Sequence, residues 1–383
     1  MIDYAQRLQT FREKMAERGW GAALLTPSGD AEYLLGIRRQ RPHATEHHMH
    51  GDWLYGVLVT PSACVAITPY LAESHIRQQI QDKPWITNIE RIGEGQNLPE
   101  LVRRLADEHS FGSKTLAIPG HAPAQTALAL KQYLPAISFA STADLLAPWR
   151  AIKEPEEIER MQKAAEITDQ IFEEVLNQLQ IGMTEQDIML EIEHQMLAHG
   201  AEGPSFVTGV MIRGGDGSEA LEGIRRAGSV QLLPNRTLAF DFGIVHDGYV
   251  SDFGRTVYCG EPDSTLQNYH QLVIDAQTAG IEALRPDGIT TEAVDRAARD
   301  IIESAGLGEH FFHRLGHGIG IDVHESPFLA LGDTTPVAEN MCFTVEPSLY
   351  LPNRCFIRVE DVVVVTPSGG RALNAISKEM IVI

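Results

Sequence analysis

His313-Arg314-Leu315-Gly316-His317-Gly318-Ile319-Gly320-Ile321-Asp322-Val323-His324-Glu325-Ser326-Pro327 is the stretch around which the rest of the chain makes sense. Three glycines fall within five residues, and each costs roughly 1 kcal/mol against alanine inside a helix. The segment is therefore expected as a loop, and its histidines are not an i, i+4 pair on a helix face. Glycine also lets backbone pass close to a ligand or a metal without a Cβ clash. Imidazoles at both ends of such a loop, with Glu325 directly after the last, point to a functional site.

Carboxylates are the next signal. Asp241 and Asp252 lie in apolar runs on either side of Asp247-Gly248, a dipeptide that favours a two-residue hairpin turn. In that register His246 faces Tyr249 and Gly243 faces Asp252. Asp241 and Asp252 then become diagonal cross-strand neighbours on one side of the sheet, about 7–8 Å apart at the backbone. Glu346 and Glu360 sit in similar β-like runs, Phe343-Thr344-Val345-Glu346 and Ile357-Arg358-Val359-Glu360. Unpaired carboxylates are very rarely buried, and converging ones repel unless a positive charge lies between them. Four carboxylates with His317 form an oxygen-rich donor set suited to two divalent ions such as manganese, iron, cobalt or zinc. Ions about 3.5–4 Å apart acidify water and clamp an oxygen that develops charge. Arg255 and Arg358, close to these acids in sequence, read equally well as their partners or as strand-surface charges.

The same half of the chain repeats itself. Residues 182–188 can be laid over residues 288–294, an offset of 106 residues. In each copy a threonine caps a helix, a glycine (Gly200, Gly306) ends it, and β-rich sequence follows with a pair of acids. A pseudo-two-fold domain is expected, with the site between its halves. The first part instead alternates strands near 22–25, 54–59, 63–67, 86–92 and 115–118 with helices near 3–20, 73–81 and 98–109. That is the pattern of an α/β layer domain. It closes near Pro148-Trp149-Arg150, before Pro155 opens a long helix, which places the domains at 1–150 and 151–383.

The chain resembles the pita-bread metalloenzymes, which include prolidases, aminopeptidases P, methionine aminopeptidases and creatinase. Residues 313–325 carry the proline-peptidase fingerprint, and the order Asp241, Asp252, His317, Glu346, Glu360 is that of the family's metal ligands. Asp30-Ala31-Glu32-Tyr33-Leu34-Leu35-Gly36 is similar to a segment of the creatinase/prolidase N-terminal domain. The resemblance implies an α/β N-terminal domain followed by an α+β pita-bread catalytic domain. It implies two divalent ions per chain, Glu346 as the group that moves a proton from the attacking water, and His324 at the scissile group. His313 would contact substrate, and Arg38, His50 or Trp53 would reach a partner's site in a homodimer and help select its substrate. The expected activity is cleavage of an amide-type C–N bond, with Xaa-Pro dipeptides or short peptides first.

Two departures keep other readings open. The peptidases carry a further histidine before the first metal strand, whereas no histidine occurs here between His199 and His246, and Gly223 or Ile224 takes its place. A creatinase- or ectoine-hydrolase-like enzyme acting on a small nonpeptide metabolite is the alternative. A noncatalytic binding protein of the same fold is the third reading. The other departure is a histidine-rich stretch, His43, His47, His48 and His50, which reads as an extra metal site or as a polar loop.

Composition narrows the partners. A formal net charge of -21 argues against a nucleic-acid surface, which needs clustered Lys and Arg, and against anionic membranes. No stretch reaches the ~20 apolar residues of a membrane span, and no leader peptide is visible. The four scattered cysteines, without a CxxC, fit reduced thiols in the cytoplasm.

Overall fold

Aspartate and glycine punctuation sets the first helix: the Asp3 side chain accepts the Gln6 amide to start Tyr4–Glu17, and Gly19, at φ 69°, ends it. The computed structural model describes residues 2–39, 49–214, 228–351 and 354–383. In it the chain divides into two units, Met1–Arg150 and Ala151–Ile383.

The first unit is a six-stranded mixed sheet in the order Asn88–Ile92, Cys64–Pro69, Gly56–Val59, Trp20–Leu25, Thr115–Ile118, Ser138–Ser141. The junctions on either side of Gly56–Val59 are antiparallel and the rest are parallel. Sequence periodicity alone did not indicate the short helix Gly29–Leu35, which Ser28 caps and Gly36 stops at φ 67°. Its Asp30 is buried against the Arg150 guanidinium at 2.8 Å and the Thr142 hydroxyl, so the acid that begins the N-terminal motif neutralises a charge inside this unit. Helix Ala143–Ala151 also contains Pro148.

The second unit repeats one arrangement of elements. Helices Pro155–Gln178 and Glu185–Ala198 are followed by strands Gly209–Gly214, Arg236–Phe242 and Phe253–Cys259, adjacent in that order. Helices Ser264–Ala283 and Thr291–Ser304 are followed by strands Gly316–Gly318, Cys342–Val345 and Asp361–Thr366, again adjacent in order. Thr184 and Thr290 cap the second helix of each copy through the amides of Asp187 and Ala293. Gly200 and Gly306 follow those helices at φ 74° and 76°. Even the isolated bridges match, Thr184 with Gln231 and Thr290 with Pro336. Each copy buries a core of its own, one around Phe172, Ile192 and Phe240, the other around Val294, Ala298 and Phe343. The unit is α+β with internal pseudo-two-fold symmetry, as the repeat implied.

One expectation changes in detail. The glycine-dense segment is not wholly a loop, because Gly316–Gly318 is a strand paired on both sides. A Cβ on Gly316 would lie 1.9 Å from the Thr344 carbonyl oxygen, and one on Gly318 would lie 2.6 Å from that of Glu325. Glycine here serves close backbone contact inside a sheet.

Candidate metal centre

The hairpin expected from Asp247-Gly248 forms, with His246 opposite Tyr249 and Val245 opposite Val250. The same register continues into Phe242 opposite Phe253 and Asp241 opposite Gly254. Asp241 and Asp252 thus become diagonal neighbours across the ladder. Gly243 allows this, since a Cβ there would sit 1.9 Å from the Ser251 carbonyl oxygen. Glu360 arrives from the second copy, its backbone bridged to Gly254. Carboxylate oxygens of Asp241, Asp252 and Glu360, all buried, lie within 4.8 Å of one another.

His317 and Glu346 close the group. The His317 Nε2 atom is 3.5 Å from Asp252 Oδ2 and 3.4 Å from Glu346 Oε1, so all five sequence-selected residues converge. The His317 Nδ1 atom is 3.1 Å from the Gly318 carbonyl, which leaves Nε2 facing the acids. Arg358 supplies counter-charge, with Nη1 2.9 Å from Asp241 and 3.7 Å from Glu360, and Nη2 3.6 Å from Glu346. Arg255 is buried as well, donating to the carbonyls of Gly254 and Glu360 and to Asp361. Both arginines are buried partners of carboxylates, not strand-surface charges.

One guanidinium does not balance these acids. Burial pushes the Asp252 carboxyl up to about 6, with Asp241 and Glu346 adding to the rise against the opposing pull of His317. Burial, Asp252 and Glu346 raise Glu360 well above the ordinary carboxylate range. Burial also opposes charge on Glu346, but Arg358, His317 and His313 outweigh it and hold this carboxyl below its usual value. His317 is raised because its bond to Asp252 and the charge of Glu346 overcome burial. Asp252 Oδ1 and Glu360 Oε2 are buried with no hydrogen-bond partner among the described residues. Orphaned oxygens in a tight set of acids and one imidazole are what a divalent cation satisfies, so these residues fit the ions expected from the sequence.

The surrounding groups hold this set in place. The Thr344 hydroxyl accepts the His317 amide at 3.1 Å and donates to Glu346 Oε1 at 3.2 Å. On helix Thr291–Ser304, Asp295 accepts the Leu315 amide, and its partner Arg299 donates to the carbonyls of Phe311 and His313. That buried pair staples the backbone on both sides of His313. The His313 imidazole contacts the Ser348 hydroxyl through Nε2, and burial followed by the charge of Arg358 lowers its pKa. His324 is exposed, and its ring centre lies 4.1 Å from that of His317. Glu325 accepts the amides of Ile321 and Asp322 and pairs with Lys153 at 3.3 Å, fixing the turn before His324. Sequence reading missed Thr344, Asp295, Arg299 and Lys153. Only Thr344 left a trace, a polar residue two places before Glu346 in an apolar strand.

The remaining candidates belong to the first unit. Trp53 packs in its core, and its carbonyl accepts the Thr126 hydroxyl. His50 Nε2 lies 2.8 Å from the Gln96 carbonyl, and the Gln79 side chain bonds both backbone groups of Arg38. His43, His47 and His48 lie outside the described residues, as do Gly223 and Ile224.

A pseudo-symmetric α+β unit around a buried centre of acids and imidazole defines a metal-dependent hydrolase of the pita-bread class. The model of metallopeptidase family M24 matches residues 159–367, and that of the creatinase/prolidase N-terminal domain matches residues 7–152. The chain belongs to metallopeptidase family M24, whose members use divalent metal ions. It is 31% identical over 381 residues to a probable dipeptidase, PepE, of Mycobacterium tuberculosis, covering 99% of this chain and 96% of that one. It is 32% identical to an Xaa-Pro dipeptidase of Pyrococcus horikoshii, covering 76% of this chain and 83% of the other. A prolidase structure from Thermococcus sibiricus superposes with a TM-score of 0.89 at 27% identity, covering 100% of both chains.

Proposed function

We propose that this chain hydrolyses Xaa-Pro dipeptides with two divalent ions per chain, manganese foremost, as a cytoplasmic homodimer. The observation that carries the reading is the meeting of Asp241, Asp252 and Glu360 within 4.8 Å, with His317 beside them, in a chain similar over most of its length to dipeptidases. Asp241, Asp252, His317, Glu346 and Glu360 would hold the ions. Bound divalent ions supply Lewis acidity toward a scissile carbonyl and lower the pKa of water. Glu346, kept ionised by Arg358 and the two histidines, accepts the proton that an attacking water gives up. His324, exposed beside His317, donates to the oxygen that develops charge. His313, held neutral by burial, positions substrate together with Ser348. The missing histidine favoured a nonpeptide substrate, but the named relatives are dipeptidases and lend that alternative no support.

The test is metal stripping followed by reloading. Reloaded protein, with about two equivalents of manganese per chain, is expected to cleave alanyl-proline and leave creatine- and ectoine-like compounds intact. Asp252→Asn should lose both the metal and the activity. A fully metallated protein inert toward every Xaa-Pro dipeptide would overturn this reading.

A further inference from the structure

Arg314 follows His313 directly and precedes His317 by three residues. Its side chain is half-buried, and its guanidinium carbon lies 4.5 Å from the ring centre of Phe328. Phe328 is the cross-strand partner of His317, and directly opposed residues share a face of the sheet. The next residue, Leu329, is buried in the helix-side core. Because side chains alternate along a strand, Phe328 stands on the other face. Arg314 therefore reaches over the face that bears the metal-binding histidine.

Among the described residues this cation has no opposite charge of its own. The chain has 52 acidic residues against 31 basic ones, and the neighbouring Arg299 and Arg358 are each paired with carboxylates. The Arg314 guanidinium makes no ion pair or hydrogen bond among the described residues. Stacking on an aromatic face fixes the plane of a guanidinium and leaves its donor edge free. A planar fork held this way matches a carboxylate through two parallel hydrogen bonds.

We propose that Arg314, stacked on Phe328, receives the free C-terminal carboxylate of the substrate and so selects dipeptides over longer or blocked peptides. The proposal rests on the peptidase reading above and adds the group that measures substrate length. Arg314 binds and orients, and takes no part in bond cleavage.

The test compares manganese-loaded wild type, Arg314→Gln and Arg314→Lys on alanyl-proline, alanyl-prolinamide and alanyl-prolyl-alanine. Wild type should prefer the free dipeptide. Arg314→Gln should raise KM for alanyl-proline about ten- to a hundredfold, as expected for losing a charged hydrogen-bond pair. In that variant kcat should move less, and the kinetics on the amide should not change. Arg314→Lys, which keeps the charge but not the fork, should fall between. Equal losses on acid and amide, no loss at all, or a wild type that prefers the amide would each overturn the role of Arg314 and leave the peptidase reading standing. Cleavage of proline-free dipeptides in place of alanyl-proline, with the same Arg314→Gln penalty, would support Arg314 and overturn the Xaa-Pro assignment. Inertness toward every dipeptide would overturn both.

Discussion

Thr344 shows how much of the centre depends on one atom. Its hydroxyl accepts the His317 amide and donates to Glu346, so one oxygen sets both the backbone of an imidazole and the rotamer of a carboxylate. Thr344→Val keeps the volume and removes both bonds. Groups that orient metal-binding side chains commonly contribute ten- to a hundredfold in metal affinity or activity. The expected result is a loss of about that size in kcat, with substrate KM little changed and Thr344→Ser restoring most of it. Manganese titration followed by steady-state kinetics checks this, and a Thr344→Val enzyme with unaltered kcat and manganese affinity would remove Thr344 from the centre. At this scale the sequence was legible where chemistry demands a residue type in an unusual place. Acids in apolar strands and histidines among glycines stand out, and all five converge. Thr344, Asp295 and Arg299 did not stand out, because a buried hydroxyl or ion pair resembles ordinary composition until its partners, distant in sequence, are brought to it.

Elements followed local rules where those rules are strong. The capping threonines, the Asp247-Gly248 turn and the long helix opening at Pro155 all appear where the sequence placed them. Helix Gly29–Leu35 escaped notice because it is too short to show a period, and Gly316–Gly318 because glycine usually weakens a strand. Helix Ser264–Ala283 depends on a tertiary contact with a pH dependence. Its buried His270 lies between the Tyr258 hydroxyl at 3.1 Å and the Lys378 carbonyl at 2.8 Å, joining the helix to a strand and to the C-terminal segment. Burial lowers its pKa, with Arg255 reinforcing the effect and Lys378 and Glu379 opposing it. The folded protein therefore holds His270 neutral, while the unfolded chain takes up a proton near the ordinary imidazole value of about 6.5. The stability from this site is complete above that value and is lost as pH falls below it, because the unfolded state then binds more protons. Between pH 7.5 and 5.5 the Tm of wild type should fall more steeply than that of His270→Gln. Parallel profiles in differential scanning calorimetry would show that His270 is not responsible.

At the scale of the molecule, the centre joins two copies of one arrangement. Asp241 and Asp252 come from the first copy, and His317, Glu346 and Glu360 come from the second. Without metal, this junction places four buried acids around Arg358 and one imidazole. Asp252 at about 6 and the raised Glu360 show that their charge is disfavoured there. A metal held by these donors would bind only when the two copies are folded together, so it would stabilise by mass action, about 2.7 kcal/mol at a free concentration a hundred times the Kd. Chelation should then lower Tm by several degrees, and manganese should restore it. Glu360→Gln separates the opposing effects. Removing one buried, repelled charge should raise the Tm of the metal-free protein above that of metal-free wild type at pH 7.5. The same change removes a donor, so manganese should no longer raise Tm and hydrolysis should fall by at least about a hundredfold. Calorimetry of both proteins, with and without manganese, distinguishes this from a structural lesion. A Glu360→Gln protein less stable than wild type in both states would mean that the carboxylate supports the fold. The higher metal-free Tm would instead place Glu360 among residues retained for catalysis at the expense of stability.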